Sequence, residues 1–270
     1  MISLRSDGEK HKKFTFPGGE VHVRLGYSSI GEVITAHIRN SDDVMELLML
    51  TDALRRRHGD QPIHLVMPYL PYARQDRVCV LGEALSLKVF CNLINAQNYA
   101  SVEVWDCHSD VGLALLDRVI HKTAAYVINS TLRENKTFQV FSDKAIDYVV
   151  IPDAGAGKRA TAVANVLSMN AIQAEKVRDP ATGGITGTVC HTNHIGAGSF
   201  IIVDDICDGG RTFIELARVL RPKTNGKIIL YVTHGIFSAG FDALREHIDH
   251  IYTANSFIDQ ADLPDFVTQI

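Results

Sequence analysis

The chain has 270 residues, 46% hydrophobic and 21% charged, and its 27 Lys plus Arg against 31 Asp plus Glu leave a net charge of −4. That is enough apolar material for one large or two ordinary domains, and the near balance of charge argues against a nucleic-acid surface or an anionic-membrane face. No apolar run has the length of a membrane span, the opening residues MISLRSDGEKHKK lack the apolar centre of a signal peptide, and five cysteines without a C-x-x-C pair suit free thiols in a reducing compartment, so a cytoplasmic protein is expected.

Residues 14–25 alternate around Pro17-Gly18-Gly19 and predict a hairpin. Residues 33–36 predict a strand. A helix follows from Ser41, the expected N-cap, to about residue 57, with Asp42 and Asp43 favouring its dipole and Val44, Leu47, Leu48 and Leu54 roughly on one face. A strand at 63–66, a loop at 67–80, a helix at 84–95 and a strand at 102–105 come next, the last ending in Asp106-Cys107-His108. The pattern then begins again. A helix at 130–135, strands at 148–151, 171–174, 200–203, 227–232 and 248–253, and helices at 158–167 and from Arg211 complete it. Such alternation predicts an α/β protein of two similar domains with mostly parallel sheets flanked by helices, residues 1–124 and 125–270. Ligands of such sheets bind at the carboxyl ends of strands. The loops at 67–80, 106–110, 152–158 and 204–212 all follow predicted strands.

The most informative stretch is SFIIVDDICDGGRTFIELARVLR, residues 199–221. An apolar strand leads into an acidic loop with two glycines, and a helix begins at Arg211 with Phe213, Leu216, Ala217 and Leu220 at helical spacing. Glycine lets the backbone approach an anion, and the N–H groups at a helix start point at it. Thr212 adds a hydroxyl. Asp204, Asp205 and Asp208 would repel a bare polyphosphate but suit vicinal hydroxyls or a Mg²⁺ site. Phosphate on the amides and hydroxyls on the carboxylates describe ribose 5-phosphate; the plain alternative is a solvated acidic turn. In MPYLPYARQDR, residues 67–77, Arg74 can stack on a base or bind phosphate and Gln75 can pair with an adenine edge. Gly155-Ala156-Gly157-Lys158-Arg159 is not a nucleotide P-loop, since Pro152 and Arg159 stand where Gly and Ser or Thr are required. His191 and His194 read as loop residues, not as a zinc site.

The loop at 204–212 resembles the binding loop for phosphoribosyl pyrophosphate (PRPP) of type I phosphoribosyltransferases and of ribose-phosphate pyrophosphokinases. Residues 67–77 decide between them, because they closely resemble the P-Y-x-x-Y-A-R-Q-D-R signature of the pyrophosphokinases. Further segments resemble that family in order: Phe16-Pro17-Gly18-Gly19-Glu20, the helix after Asp43, Asp106-Cys107-His108, IPDAGAGKRA at 151–160, Glu175-Lys176-Val177-Arg178 and Thr233-His234-Gly235-Ile236-Phe237-Ser238.

The resemblance implies a type I phosphoribosyltransferase-like fold and transfer of the β,γ-diphosphoryl group of ATP to ribose 5-phosphate. It implies Asp204, Asp205, Asp208, Gly209, Gly210, Arg211 and Thr212 as ribose 5-phosphate contacts. Lys176 and Arg178, on a loop with Pro180, Gly183, Gly184 and Gly187 nearby, become the catalytic cations. Phe16, Glu20, Arg74, Gln75, Asp76 and His108 become ATP contacts, and His108 and Asp153 the metal residues for Mg²⁺. The hairpin reaches the adenine of a neighbouring subunit in the family, which implies a homodimer or higher homo-oligomer. This chain departs from the pattern at Gly18, where the family has an acid, and at Gly209 and Arg211 in the sugar loop; it also ends at Ile270, before a further helix that many relatives carry. The alternatives are a non-catalytic regulatory relative, against which the catalytic-loop and sugar-loop residues stand, and a phosphoribosyltransferase, against which the RQD loop stands.

Overall fold

The computed structural model describes residues 1–4, 11–26, 33–134, 146–178 and 185–270. It divides the chain into two units, Met1–Lys122 and Thr123–Ile270. In the first unit the elements are β1 (Ile2–Leu4), β2 (Lys12–Thr15), β3 (Val21–Arg24), β4 (Val33–Ala36), α1 (Ser41–His58), β5 (His64–Val66), α2 (Ser86–Asn95), β6 (Ser101–Trp105), α3 (Asp110–Leu115) and β7 (Val119–Lys122). The main sheet has the order β1-β4-β5-β6-β7, parallel from β4 to β7, with β1 antiparallel at the edge. β2 and β3 form a separate antiparallel ribbon.

Helix α1 is capped by Asn40, one residue before the expected Ser41: the Asn40 side chain accepts the Asp43 N–H at 3.0 Å. Asn and Ser cap about equally well, so sequence alone did not separate them. Gly59, at φ 64°, ends the helix. Leu47, Leu50 and Leu54 are fully buried with Ile34, Leu65 and Val104 of the sheet and Leu87, Cys91 and Ile94 of α2; each such side chain contributes about 1.5–3 kcal/mol. The short strands β1 and β7 and the short helix α3 were not expected, since three to six residues carry too little periodicity.

In the second unit the elements are α4 (Ala124–Glu134), β8 (Ile146–Ile151), α5 (Gly157–Leu167), β9 (Asn170–Arg178), β10 (Ile185–Cys190), β11 (Ser199–Cys207), α6 (Arg211–Leu220), β12 (Ile228–Gly235), α7 (Asp242–Arg245), β13 (His250–Ser256) and β14 (Val267–Gln269). The sheet order is β10-β9-β8-β11-β12-β13-β14, parallel except for β10 on β9. Helix α4 begins six residues before the predicted start at 130, and the predicted last residue, Asn135, lies outside the described residues. Strands that are apolar along their whole length are so because both faces are covered. Phe200 and Ile202 of β11 face the cluster of Phe213, Leu216 and Leu220 from α6. Ile201 and Val203 face Ala160, Val163 and Ala164 from α5.

Two expectations need correction. The acidic loop was expected from residue 204, yet β11 continues to Cys207, because it keeps pairing with β12 through Asp204↔Val232, Ile206↔His234 and Cys207↔Gly235. Lys176 and Arg178 were expected on a loop. Their backbone lies in β9, paired with β10 at Lys176↔Thr188 and Arg178↔Ile185; the returning strand takes up the backbone groups that a loop would leave to water. Their side chains, and Pro180, Gly183 and Gly184, lie outside what is described. Among the described residues no helix is long and apolar enough to cross a membrane.

Candidate functional site

The second unit has a topological switch point. From β8 the chain passes through α5 to β9 on one side, whereas β11 lies on the other side of β8. Loops leaving the carboxyl ends of two such strands diverge and open a crevice, the usual ligand position in an open α/β sheet. Pairing between β8 and β11 ends at Val150↔Ile202. Beyond it β8 turns off into Pro152-Asp153, while β11 runs on against β12 alone.

The part of β11 beyond that point, Val203 to Cys207, carries the two acids. Asp205 is buried and Asp204 partly so. Asp204 Oδ1 accepts the Asp205 N–H at 2.9 Å and lies 3.5 Å from Arg159 Nη1; Asp205 Oδ2 lies 3.5 Å from Arg159 Nη2. Burial, and next the charge of Asp205, push the Asp204 carboxyl up to about 8, against the downward pull of Arg159. A buried acid pair with one cation between them is a costly arrangement and therefore a functional candidate.

After β11 the chain makes the turn Asp208-Gly209-Gly210 and enters α6. Gly210 is the N-cap at φ 76°, and a Cβ there would meet Leu244 Cδ2 at 2.8 Å, whereas Gly209 has open space around it. The first helical bonds run from the Phe213 and Ile214 N–H groups to the Gly210 carbonyl, so the amides before them point out of the helix start. The turn is held from below by the segment after β12. The Ile236 and Phe237 N–H groups both donate to the Cys207 carbonyl, at 2.8 and 3.1 Å, and the Ser238 hydroxyl donates to Asp208 Oδ1. Arg211 is exposed and pairs with Glu215 one turn on, at 2.7 Å. Across the switch point, Asp153 Oδ1 accepts the Gly155 and Ala156 N–H groups at 3.0 and 3.2 Å and so fixes the approach to α5. Among the described residues no three His, Cys, Asp or Glu side chains form a metal-holding group.

In the first unit, the loop after β5 leaves Arg74 and Gln75 exposed while Asp76 turns inward. Asp76 Oδ1 accepts from Arg77 Nε at 2.8 Å. That bond holds the Asp76 carboxyl below the usual range, with smaller pulls from Ser109 and His108. Thus Asp76 sits beside the loop after β6, where His108 is exposed. Two bonds brace these loops: the Trp105 N–H to the Pro68 carbonyl at 2.9 Å, and the Cys107 backbone N–H to the His121 side chain, at Nε2, at 3.2 Å. On the β2–β3 ribbon, Phe16 is 48% exposed, its ring edge-on to Phe14 at 5.4 Å and tilted to His22 at 5.9 Å. Glu20 is also exposed, and the turn closes with Gly19 at φ 91°.

Residues 3–97 match the family model of the N-terminal domain of ribose phosphate pyrophosphokinase. A ribose-phosphate pyrophosphokinase of Thermococcus kodakarensis is 32% identical over 89% of this chain and 83% of its own length. The chain belongs to the ribose-phosphate pyrophosphokinase family. A second pyrophosphokinase, from Pyrococcus furiosus, is 30% identical over 89% of this chain and 84% of its own. The crystal structure of phosphoribosylpyrophosphate synthetase from Mycobacterium smegmatis has the same fold, with a TM-score of 0.77 at 21% identity over 99% of this chain and 87% of that one.

Three residues of this pyrophosphokinase-family chain were given no role from sequence. Arg159 was weighed only as a reason to reject a P-loop, and nothing in its spacing shows that it reaches Asp204 and Asp205. Ser238 lies thirty residues from Asp208. Glu46, read as one more helix residue, is buried and takes His11 Nε2 at 2.6 Å and Lys13 Nζ at 2.9 Å, which fastens the ribbon to α1. A buried acid in an amphipathic helix is visible in sequence only as a polar residue breaking an apolar face.

Proposed function

We propose that this protein transfers the β,γ-diphosphoryl group of ATP to the 1-hydroxyl of ribose 5-phosphate, giving PRPP and AMP. What supports this first is the switch-point arrangement of the second unit, in which two carboxylates on the end of β11 stand three residues before an open glycine turn and a helix start. The 5-phosphate lies on the turn and helix start formed by Asp208, Gly209, Gly210, Arg211 and Thr212, and the ribose hydroxyls donate to Asp204 and Asp205. Residues 125–270 thus form the sugar-phosphate domain and residues 1–124 the ATP domain.

ATP is held by Arg74, Gln75 and His108, with Asp76 bracing their loops from inside. Phe16 and Glu20 of the ribbon serve the adenine of a neighbouring subunit, so the active form is a homodimer or a higher homo-oligomer. The substrate's own 1-hydroxyl is the nucleophile. Its oxygen bonds to the β-phosphorus while the bond from that phosphorus to the α,β-bridging oxygen breaks. AMP leaves with the electron pair, and the hydroxyl proton is released to water. Lys176 and Arg178 counter the charge on the transferring group. Mg²⁺ keeps several waters and needs only one or two protein oxygens beside the phosphates; the part-exposed carboxylate of Asp153 would supply one, His108 would meet the ATP phosphates or the ion's waters, and the bound ion would neutralise charge on the phosphate oxygens.

Phosphorus NMR of the purified protein with ATP, ribose 5-phosphate and Mg²⁺ tests this. Equal growth of AMP and a 1-pyrophosphoryl ribose signal is expected. Binding of ribose 5-phosphate without turnover on any nucleoside triphosphate would point to the regulatory relative. Consumption of PRPP with a free base would point to a phosphoribosyltransferase.

A further inference from the structure

The carboxylates at the end of β11 depend on a cation supplied by a different element. Only 17% of the Asp204 side chain and 6% of the Asp205 side chain are exposed, and Arg159 is itself 12% exposed. Two neighbouring carboxylates withdrawn from water repel each other and lose hydration together. One guanidinium meets both, Nη1 toward Asp204 and Nη2 toward Asp205, each at 3.5 Å. A planar group with nitrogens on separate arms suits this bridge, and an ammonium, a single point of charge, does not.

The cation is aimed from a rigid element. Arg159 is the third residue of α5. The next residue, Ala160, is fully buried and with Val163 and Ala164 seats the helix against Val149, Ile201 and Val203 of the sheet. The start of α5 is pinned by the two amides on Asp153. An Arg one residue earlier or later on the helix would point about 100° away.

We propose that Arg159 is a positioning residue for sugar binding: it holds Asp204 and Asp205 together as one acceptor array for the vicinal hydroxyls of ribose 5-phosphate. This rests on the assignment of that sugar to the loop. Arg159 acts through the acids, so its loss should weaken the sugar and spare ATP. Its effect should also depend on both acids being present, because a single carboxyl group has no neighbour to be held against.

The test compares wild type, R159M, R159K, D204N and R159M/D204N by calorimetric titration with ribose 5-phosphate and with a non-hydrolysable ATP analogue, alongside steady-state kinetics and Tm. R159M should bind ribose 5-phosphate roughly 10- to 100-fold more weakly, the scale of losing hydrogen bonds to a charged group, with affinity for the ATP analogue changed less than about 3-fold. R159K should recover part of the loss, and R159M should cost several-fold less in the D204N background. Wild-type sugar affinity in R159M, equal weakening toward both ligands, or the same cost in both backgrounds would overturn the proposal. If R159M does not fold, R159K carries the test: weaker sugar binding with unchanged binding of the ATP analogue supports the role, and unchanged sugar binding overturns it. A wild-type protein that binds no ribose 5-phosphate removes the underlying assignment itself, which separates that failure from a failure of Arg159 alone.

Discussion

The two units share an architecture but treat their charges differently. In the first, the main sheet adds β5, β6 and β7 in one direction from β4 without a reversal, and the loops after β5 and β6 expose Arg74, Gln75 and His108. Asp76, a buried acid of these loops, has Arg77 from the next position in sequence. In the second, the sheet reverses at β8, and the strand beside the reversal carries two acids inward to meet an Arg from another helix. Exposed charges are cheap to place and lose little on substitution; buried like charges are costly and survive only if a partner or ligand compensates. The proposed sugar site is therefore the more demanding half of the chemistry, and substitutions there should do more than substitutions in the loops proposed for ATP.

The sharpest way to break this contrast is Asp204→Asn with Asp205→Asn. kcat/KM for ribose 5-phosphate should fall about 10³-fold or more, from the loss of two charge-assisted acceptors. Unchanged steady-state kinetics would remove both acids from the mechanism. Lys176→Ala comes next, with kcat lower by roughly 10²–10³ and calorimetric affinity for ribose 5-phosphate nearly unchanged, the scale of one lost transition-state donor. A defect confined to affinity would make it a binding residue.

The two glycines of the turn before α6 form an internal control. Gly210→Ala must accept φ 76° and a Cβ 2.8 Å from Leu244, and should lower stability by about 1–3 kcal/mol in urea titrations. Gly209→Ala enters open space and should stay within about 0.5 kcal/mol; similar values for both would deny the turn its strain. On the ATP side, Phe16→Ala should raise the KM for ATP about 10-fold, the worth of one stacked aromatic, with little change in Tm because the ring is about half exposed.

The last effect is a pH dependence. Burial and Asp205 raise Asp204 from 3.8 to about 8. The protonated acid is thus favoured in the fold, so its contribution to stability is full below the unfolded value and is lost as pH rises through about 8. Asp76 runs oppositely: its lowered carboxyl, held first by Arg77, supports the fold above the ordinary carboxylate range and stops doing so as pH falls through its lowered value. The ligand-free Tm should drop by roughly 3–8 °C from about pH 5 to about pH 8, and Asp204→Asn should flatten that slope. Ribose 5-phosphate binding should strengthen over the same range, since the sugar hydroxyls need ionised acceptors.

Much of this protein is legible in its sequence. Apolar runs alternating with helical spacing give an α/β chain in two parts, because period and burial are local properties of a segment. The glycine turn before α6 and the RQD stretch also stand out, because phosphate and base recognition need particular residue types close together. The limits of the elements were less legible. Asp204 and Asp205 belong to β11 because β12 lies alongside to pair with them, and Lys176 and Arg178 belong to β9 because β10 returns against it. Only the tertiary structure decided which charges meet. Arg159 lies forty-five residues from Asp204, and Lys13 and Glu46 are similarly remote from each other. A side chain's sequence neighbours fix its local geometry, but its electrostatic partner is set by the order in which strands enter the sheet.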